Sequence, residues 1–325
     1  MADRVRVAVI GLGSMGANHA RVFAELPEAD LVAVCDSDES KLRTAGGART
    51  YRDYRDLLAE ERLDGVSIAV PTRKHLEVAL AAIERGIPLL VEKPLGADLD
   101  ECLRLRDAAE AAGVPLMVGH VERFNPVVQE LKSRLESGDA GRIYQAYARR
   151  VGPFYERERD VGVVHDLATH DIDILQWLFG PVERVHGETQ AGVRTPHEDA
   201  LSAVLRFEAG VTVLLEVNWL TPLKFRDLHL LGEHGRYYAV YHPQVLQFWR
   251  AGAPGDEPQV DSQTFPGSGE APLKNELSAF LRVARREIDP PVTADDAIAA
   301  MRVVEALIES ARSGEAVRLA GRAAT

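Results

Sequence analysis

The feature that most constrains the fold of this chain is a glycine-rich turn close to its N-terminus. Val5–Ile10 has the apolar, β-branched pattern of a strand, Gly11-Leu12-Gly13-Ser14-Met15-Gly16 follows it directly, and residues 14–26 have helical periodicity. A strand, a glycine turn and a helix in this order are typical of a dinucleotide-binding βαβ unit. The three glycines would permit a tight turn and bring a pyrophosphate to the helix N-terminus, whose N–H groups favour anions.

The first 120 residues continue this alternation of strand and helix patterns. Further strands are predicted at 31–35, 66–70, 89–91 and 115–118, and further helices at 73–85 and Leu99–Ala112. Alternation of this kind predicts a parallel sheet with right-handed crossovers and helices on both faces. We therefore predict an α/β Rossmann domain, a doubly wound parallel sheet, over residues 1–120.

The rhythm changes after residue 120. Helices are predicted at Pro126–Glu136 and 166–178, followed by strand patterns without helices between them and by turns such as Glu208-Ala209-Gly210 that suit hairpins. Two helices, near 273–286 and 293–313, close the chain. The pattern predicts an α+β domain with an antiparallel sheet over residues 121–325, whose final helices can pack back on the first domain.

Composition and charge exclude several classes of protein. The 325 residues are too many for one ordinary core, and a net charge of −12 argues against a dedicated nucleic-acid binder. Cys35 and Cys102 lack Cys-x-x-Cys spacing, which indicates a reducing compartment and neither a disulfide framework nor a thiolate metal site. Apolar runs are too short for a membrane span, and a strand pattern begins too early for a signal peptide. We expect a cytoplasmic protein without membrane or nucleic-acid partners.

Asp36 gives the first indication of which nucleotide is bound. It ends the second predicted strand, 20 residues after Gly16, where a carboxylate holds the hydroxyls of an adenosine ribose. The same charge would repel a 2′-phosphate, and Ser37 rather than an arginine follows it. NAD is therefore predicted in preference to NADP. The other predicted cofactor contacts are Ser14, Met15, Pro71, Thr72, His75, Glu92 and Lys93.

Two of those contacts have alternative interpretations. His75 begins a predicted helix and could equally face solvent. Lys93 stands where an apolar strand runs into Pro94, which biases the lysine away from helical backbone. Ligands bind at the carboxyl ends of strands in open α/β sheets, and a partly desolvated lysine can take part in proton transfer. We predict that Lys93 is catalytic; a solvated surface charge is the alternative.

A second constellation surrounds Asp166 and His170. At positions i and i+4 of a helix these side chains share one face, and a carboxylate beside an imidazole can fix its tautomer and stabilise its protonated form. That suits a general base which takes a hydroxyl proton while a hydride leaves the same carbon. A metal site with His165 and Asp173 is an alternative, but the spacing is not H-E-x-x-H, and we expect no metal. A charged helix face without chemistry is another.

Three motifs together resemble one known family. The glycine turn, Glu92-Lys93-Pro94 and Asp166-x-x-x-His170, in this order and over nearly the whole chain, are similar to the glucose–fructose oxidoreductase, inositol dehydrogenase and rhizopine catabolism (Gfo/Idh/MocA) family. The resemblance implies a catalytic Lys93, an acid/base His170 with Asp166 as its partner, and a large open antiparallel sheet in the second domain. Such sheets commonly make subunit contacts, so a homodimer or homotetramer is expected. Which of Lys93 and His170 removes the proton is left open.

A narrower resemblance concerns the substrate. Residues 118–126, 149–153 and 160–164 are similar to the branch of UDP-N-acetylglucosamine 3-dehydrogenases, which implies oxidation of a sugar 3-hydroxyl by NAD. The predicted substrate contacts are His120, Arg123, Asn125, Arg150, Arg157 and His170. Arginine side chains, including Arg159, suit the oxygens of a diphosphate. Ordinary surface or interface arginines are the alternative.

Three functions follow from these observations. The leading one is an NAD-dependent dehydrogenase that takes a hydride from a secondary hydroxyl of a sugar or sugar nucleotide. An inositol or free-aldose dehydrogenase would use the same catalytic residues. A non-catalytic NAD-binding regulator belongs to a different class, and an intact set of Lys93, Asp166 and His170 argues against it, because a sensor does not require that set.

Overall fold

The computed structural model describes residues 4–43, 46–154, 161–252, 257, 259–265 and 271–319. Two of the arginines predicted to contact substrate, Arg157 and Arg159, lie outside the described residues. The chain divides into two compact units: Met1–Val121 with Pro272–Ile298, and Glu122–Ala271 with Ala299–Thr325. The second unit is therefore interrupted in sequence, because Pro272–Ile298 belongs to the first unit.

The first unit contains six strands and six of the helices. The strands are β1 (Val5–Ile10), β2 (Ala29–Cys35), β3 (Arg49–Tyr51), β4 (Gly65–Ile68), β5 (Leu89–Glu92) and β6 (Leu116–Gly119). The helices are α1 (Ser14–Glu25), α2 (Glu39–Leu42), α3 (Tyr54–Glu60), α4 (His75–Ile83), α5 (Leu99–Ala112) and α8 (Ala271–Ala284), and a 3₁₀ turn, Thr72–Lys74, precedes α4.

These strands form one parallel sheet in the order β3-β2-β1-β4-β5-β6, which confirms the predicted Rossmann domain. The order reverses between β1 and β4, the place where doubly wound sheets bind their ligands. β4, β5 and β6 are buried along their whole length, so they appear in the sequence as short continuous apolar runs. Helix α8 packs into the same core, with the Phe280 ring 6.4 Å from that of Phe23.

The second unit contains the remaining elements. Its helices are α6 (Pro126–Glu136), α7 (Thr169–Phe179) and most of α9 (Ala294–Ser313), with a 3₁₀ turn at Val121–Phe124 and a π-helical turn at Val164–Ala168. Its strands are β7 (Ile143–Pro153), β8 (Val182–Ala191), β9 (Glu198–Phe207), β10 (Thr212–Asn218), β11 (Leu220–Gly232), β12 (Gly235–Tyr241), β13 (Gln244–Arg250), β14 (Gln259–Thr264) and β15 (Val317–Arg318).

These nine strands form a sheet in the order β14-β13-β12-β11-β7-β10-β9-β8-β15. The predicted antiparallel arrangement is confirmed with one exception, because the central pair β7 and β10 is parallel. One face of the sheet carries the core of the unit, where Tyr237 stacks on Phe248 and Phe179 meets the edge of Phe207. Along the strands, residues that point into this core alternate with residues on the opposite face, as expected of a sheet that is buried on one side.

Candidate active site

The glycines of the turn are present for two different reasons. Gly11 has φ of +93°, and a Cβ there would lie 2.6 Å from the carbonyl carbon of Ala69. A Cβ on Gly16 would lie 1.7 Å from the Gly11 carbonyl oxygen. Gly13 differs from both, because beyond its own chain neighbours no described residue has an atom within 4 Å of the position its Cβ would take. Two glycines are thus required by packing, whereas the third keeps space open in front of α1.

The N-terminus of α1 fits an anion. Gly13 precedes the helix without a side chain to cap it, and the first turn carries no acidic residue. The N–H groups of that turn and the helix dipole therefore favour negative charge at this position. The structure places predicted contacts Ser14 and Met15 in this turn.

Asp36 anchors the glycine turn to the end of β2. One oxygen of its carboxylate accepts a hydrogen bond from the Leu12 N–H at 2.7 Å, and the other accepts from the Asp38 N–H at 2.8 Å. The Lys41 ammonium lies 3.4 Å from the first oxygen. A carboxylate has about four acceptor positions, so Asp36 retains capacity for the hydroxyls of a ribose.

His75 connects two loops at the same edge of the sheet. It is buried, with Nδ1 2.9 Å from the Pro94 carbonyl oxygen and Nε2 2.9 Å from that of Val70. The alternative of a solvent-facing His75 is therefore wrong. Burial lowers the pKa of His75 below its ordinary value, against the opposing effect of the two carbonyl oxygens. Both ring nitrogens face backbone, while Pro71 and Thr72 of the same loop are more exposed.

Lys93 follows the buried strand β5 and is half-buried itself. Its backbone N–H donates to Glu92 Oε2 at 3.2 Å, and the Lys93–Pro94 peptide is cis. Glu92 turns its side chain into the core, where Oε1 lies 3.0 Å from His19 Nε2. The glycine turn, Asp36, the His75 loop and Lys93 all follow the carboxyl ends of parallel strands, so one edge of the first sheet brings them together.

The second unit contains the other predicted catalytic pair. Asp166 lies in the π-helical turn and His170 in the first turn of α7, so the continuous α-helix predicted over 166–178 is wrong at its start. Both side chains are half-buried. Their neighbour His165 has its pKa lowered by burial, an effect that the charge of Glu198 opposes. π-Helical turns within helices occur frequently at functional sites.

Arg150 lies at the centre of a buried ion cluster in the second unit. It is 1% exposed, and its Nε lies 2.5 Å from Asp171 Oδ2 while one Nη lies 3.0 Å from Glu122 Oε1. Arg226 contacts the same Glu122 oxygen at 3.5 Å and retains 32% of its side-chain exposure. Against the effect of burial, the charges of Arg150 and Arg226 lower the pKa of Glu122.

The other predicted substrate contacts also have partners within the protein. Arg123 is buried and forms a bidentate pair with Asp173, at 2.6 and 2.8 Å. Asn125 caps α6 through the Val127 N–H and donates to Glu122. His120, in the first unit, is buried as well. Buried guanidinium groups require carboxylate partners, so a diphosphate would have to displace them. A role for Arg123 and Arg150 in phosphate binding stays a prediction, and these contacts do not favour it.

Several polar residues of these clusters were not predicted from the sequence. Glu122 and Asp171 lie inside the predicted motifs, but their role as partners of Arg150 depends on long-range packing. Glu276 could have been singled out from the sequence. Leu273, Leu277 and Phe280 have helical spacing and form the apolar face of α8, and Glu276 lies on that same face. A glutamate in the middle of an apolar helix face is expected to meet other polar groups in the core.

Comparison with known proteins agrees with this architecture. A model of an oxidoreductase family with an NAD-binding Rossmann fold (GFO/IDH/MocA) matches residues 5–120, and the model of the GFO/IDH/MocA C-terminal domain matches residues 128–238. Inositol 2-dehydrogenase 2 of Saccharopolyspora erythraea is 31% identical over 95% of this chain and 94% of that protein. D-apiose dehydrogenase of Paraburkholderia graminis is 29% identical over 97% and 90%.

A solved structure is similar throughout. The WlbA dehydrogenase of Bordetella pertussis, in complex with NADH and UDP-GlcNAcA, is 25% identical and superposes with a TM-score of 0.83. The match covers 99% of each chain. No helix in the described ranges combines the length and apolar character that a membrane span requires.

Proposed function

This chain belongs to the GFO/IDH/MocA family of oxidoreductases, and from that premise we propose that it oxidises a secondary hydroxyl of a sugar or polyol with NAD. The observation that carries the proposal is the carboxyl edge of the first sheet. There Gly13 leaves open space before a helix N-terminus, and Lys93 follows a buried strand. One edge thus offers both a place for a dinucleotide and a group that can transfer a proton.

The residues at this edge fit the dinucleotide. The N–H groups of α1 and the space at Gly13 would hold the pyrophosphate, and Asp36 would hold the adenosine ribose. When bound, the nicotinamide supplies the hydride acceptor. The Asp36 carboxylate supports NAD as the preferred form. Lys41, whose ammonium lies 3.4 Å from that carboxylate, is a cation that supports NADP as a second candidate.

Lys93 is the proposed proton-transfer group of the first unit. Glu92 accepts its backbone N–H and the following Pro94 restricts its backbone angles, which limits where the side chain can start. A lysine amine in hydrogen-bond reach of a hydroxyl can accept its proton as the hydride departs. Holding the backbone rigidly reduces the entropy lost when the side chain adopts that geometry.

His170 is the proposed proton-transfer group of the second unit, with Asp166 as its partner. Half-burial of both side chains supports this role, because a partly accessible imidazole can reach a hydroxyl and accept or donate its proton. Substituting Lys93 and His170 separately and comparing the two rates tests which of them accepts the proton.

Two substrate classes compete. The buried ion pairs of Arg123 and Arg150 favour a small polyol or aldose, because they leave these guanidinium groups no unpaired charge for a diphosphate. The similarity of residues 118–126 to UDP-N-acetylglucosamine 3-dehydrogenases supports the 3-hydroxyl of a UDP-N-acetylhexosamine as the second candidate. Arg226, which is the more exposed and more weakly paired arginine of the cluster, is the residue best placed to contact an anionic substrate.

The experiment that distinguishes these candidates measures the absorbance of reduced nicotinamide. The purified protein is given NAD or NADP together with cyclitols, free aldoses, UDP-N-acetylhexosamines and their uronic acids. We expect NAD reduction with a cyclitol or an aldose. Turnover of UDP-sugars alone would instead favour a sugar nucleotide as the substrate. Tight NAD binding without turnover of any compound in the panel would favour a regulator over an enzyme.

The open face of the second sheet supports assembly with a second copy of the chain. Val204, Leu214, Tyr147, His229 and Tyr238 face each other in register across five neighbouring strands. Val204 and Leu214 are 41% and 40% exposed, which is high for branched apolar residues on a sheet. Light scattering is expected to show a dimer or tetramer that Leu214→Asp converts to a monomer. An unchanged mass for that variant would place any contact elsewhere.

A further inference from the structure

Glu276 is a fully buried carboxyl group on an apolar helix face. It is 0% exposed, and neither carboxyl oxygen has a hydrogen-bond partner among the described residues. Such a group is costly to bury, because its hydration is lost without replacement. The function proposed above makes no use of it. A buried unsatisfied carboxyl group in the interior of a Rossmann unit therefore requires its own explanation.

Glu276 belongs to a cluster of buried polar side chains. Glu276 from α8, His19 from α1 and Glu92 from β5 bring one donor atom each within 4.8 Å of one another. His19 Nε2 lies 3.0 Å from Glu92 Oε1, and His19 Nδ1 lies 2.8 Å from the Ser67 hydroxyl of β4. We call His19, Ser67, Glu92 and Glu276 the core cluster. All four residues are buried.

The charges of the core cluster do not balance if both glutamates are ionised. One imidazole can compensate one carboxylate, and it contacts Glu92. Within the described ranges no lysine or arginine forms an ion pair with Glu276. Two buried carboxylates this close cannot both carry a charge, so one of them keeps its proton. Burial, followed by the charge of Glu92, raises the pKa of Glu276, whereas the His19 contact lowers that of Glu92 against the effect of burial.

A hydrogen bond joins the core cluster to the candidate active site. Glu92 Oε1 faces His19, and Glu92 Oε2 accepts from the backbone N–H of Lys93 at 3.2 Å. This carboxylate is therefore one of the groups that hold the lysine backbone at the end of β5. A neutral acid beside Glu92 can donate its O–H toward it, directly or through one water, and adds no repulsive charge.

We propose that Glu276 is a positioning residue: a buried carboxylic acid that keeps Glu92 ionised and oriented, so that Glu92 holds the backbone of Lys93. The proposal rests on the role proposed for Lys93. The groups that face the two carboxyls are His19 and Ser67, with Lys93 and His75 acting on Glu92 through their charges. Glu276→Gln keeps the shape of the side chain and a hydrogen-bond donor but cannot titrate. Glu276→Ala removes the shape, the donor and the titratable proton.

The first test needs no substrate. Urea unfolding is measured between about pH 5 and pH 8 for the wild type, Glu276→Gln and a control, Glu287→Gln, at an exposed position of the same unit. In this pH range the folded wild type keeps the Glu276 proton, whereas the unfolded chain releases it. The unfolding constant of the wild type, relative to that of Glu276→Gln, therefore rises by up to about tenfold for each unit of increasing pH. The control is expected to follow the wild type. A ratio independent of pH would show that Glu276 is ionised and would overturn the proposal.

The second test concerns Lys93. With any substrate that is turned over, Glu276→Ala is expected to lower kcat by about tenfold or more while the Kd for NAD changes less than about threefold, and Glu276→Gln is expected to restore most of the rate. If Glu276→Ala fails to fold, Glu276→Gln against Glu276→Leu provides the same comparison. Equal kcat for the alanine, glutamine and wild-type proteins would overturn the positioning role.

Two further outcomes are distinguishable. The side chains of the core cluster are also metal-ligand types, so the metal content of the purified protein is measured. One equivalent of a divalent metal that is lost in Glu276→Gln would overturn the proposal. If Lys93 proves dispensable while the pH-dependent stability difference persists, the proposed function fails and Glu276 remains a buried acid without a catalytic consequence.

Discussion

Gly13→Ala separates cofactor binding from folding more cleanly than any other substitution in the glycine turn. Gly13 has extended backbone, φ −64° and ψ −167°, and beyond its own chain neighbours no described residue has an atom within 4 Å of the position of a Cβ. The chain itself therefore has room for alanine. A pyrophosphate in front of α1 would occupy that same space, so the added methyl group is expected to meet the ligand rather than the protein.

The magnitudes follow from the same geometry. Alanine at this helix-capping position costs about 0.5–1 kcal/mol relative to glycine, and the reduced freedom of the unfolded chain returns about 0.4–1 kcal/mol. The free energy of unfolding without NAD should thus stay within about 1 kcal/mol of the wild type. By contrast, Gly16→Ala places a Cβ 1.7 Å from the Gly11 oxygen. It should destabilise the protein by about 3 kcal/mol or more, because backbone must move.

The assay is chemical unfolding with and without NAD. At a concentration of 100 times its Kd, NAD stabilises the wild type by about 2.7 kcal/mol. For Gly13→Ala at the same concentration this increment should shrink to less than about 1 kcal/mol, while the free energy of unfolding without NAD stays within about 1 kcal/mol of the wild type. A Gly13→Ala protein that retains the full increment would refute the placement of the pyrophosphate. One that unfolds like Gly16→Ala would refute the packing argument.

Three other predictions concern the ion cluster, the thiols and the cofactor. Arg150→Met leaves Glu122 and Asp171 buried without their main cation, so urea unfolding should show a loss of about 3–5 kcal/mol, and a loss below about 1 kcal/mol would contradict the cluster. Burial, with the charges of Asp53 and Asp36, raises the pKa of Cys35 to about 12, so native protein near pH 8 should resist alkylation at Cys35 until urea is added. Rapid labelling of the native thiol would count against this environment. Asp36→Ala should raise the KM for NAD and shift the preference toward NADP by about tenfold, and an unchanged KM ratio would exclude Asp36 as the ribose contact.

The sequence predicted most of the first unit because its strands are buried on both faces. Such strands appear as short continuous apolar runs, and in this unit the bounds of β1 and α5 agree with prediction to the residue. The strand β3 and the helices α2 and α3 were missed. All three are short and largely exposed, so none has the apolar periodicity on which the prediction depends.

The second unit shows why pattern alone is insufficient. β7 lies in the middle of the large sheet but was not predicted, because Arg150 occupies one of its buried positions and interrupts the apolar alternation. The parallel pairing of β7 with β10 depends on contacts far apart in sequence, which local pattern does not encode. The same limit applies to the core cluster, whose members His19, Ser67, Glu92 and Glu276 come from four separate elements. Local sequence around each of these residues does not indicate that packing brings the four together.

The candidate site was predictable where chemistry requires a fixed spacing. The glycine turn and Asp36 are tied to one another within 25 residues, and the structure joins them through the Leu12 N–H. Arg123 and Arg150 were interpreted as phosphate contacts because arginine suits phosphate, but it suits a buried carboxylate equally well. Residue type alone could not distinguish the two partners.

The proton-transfer role of Lys93 is tested by comparing Lys93→Ala with the wild type in two assays on the same preparations. One assay records NAD reduction with the best substrate of the panel, and the other records the Kd for NAD by titration. Loss of a proton-transfer group should lower kcat by about 10²–10⁴-fold, with the Kd for NAD within a few-fold of the wild type. A Lys93→Ala enzyme that turns over near the wild-type rate would contradict the account.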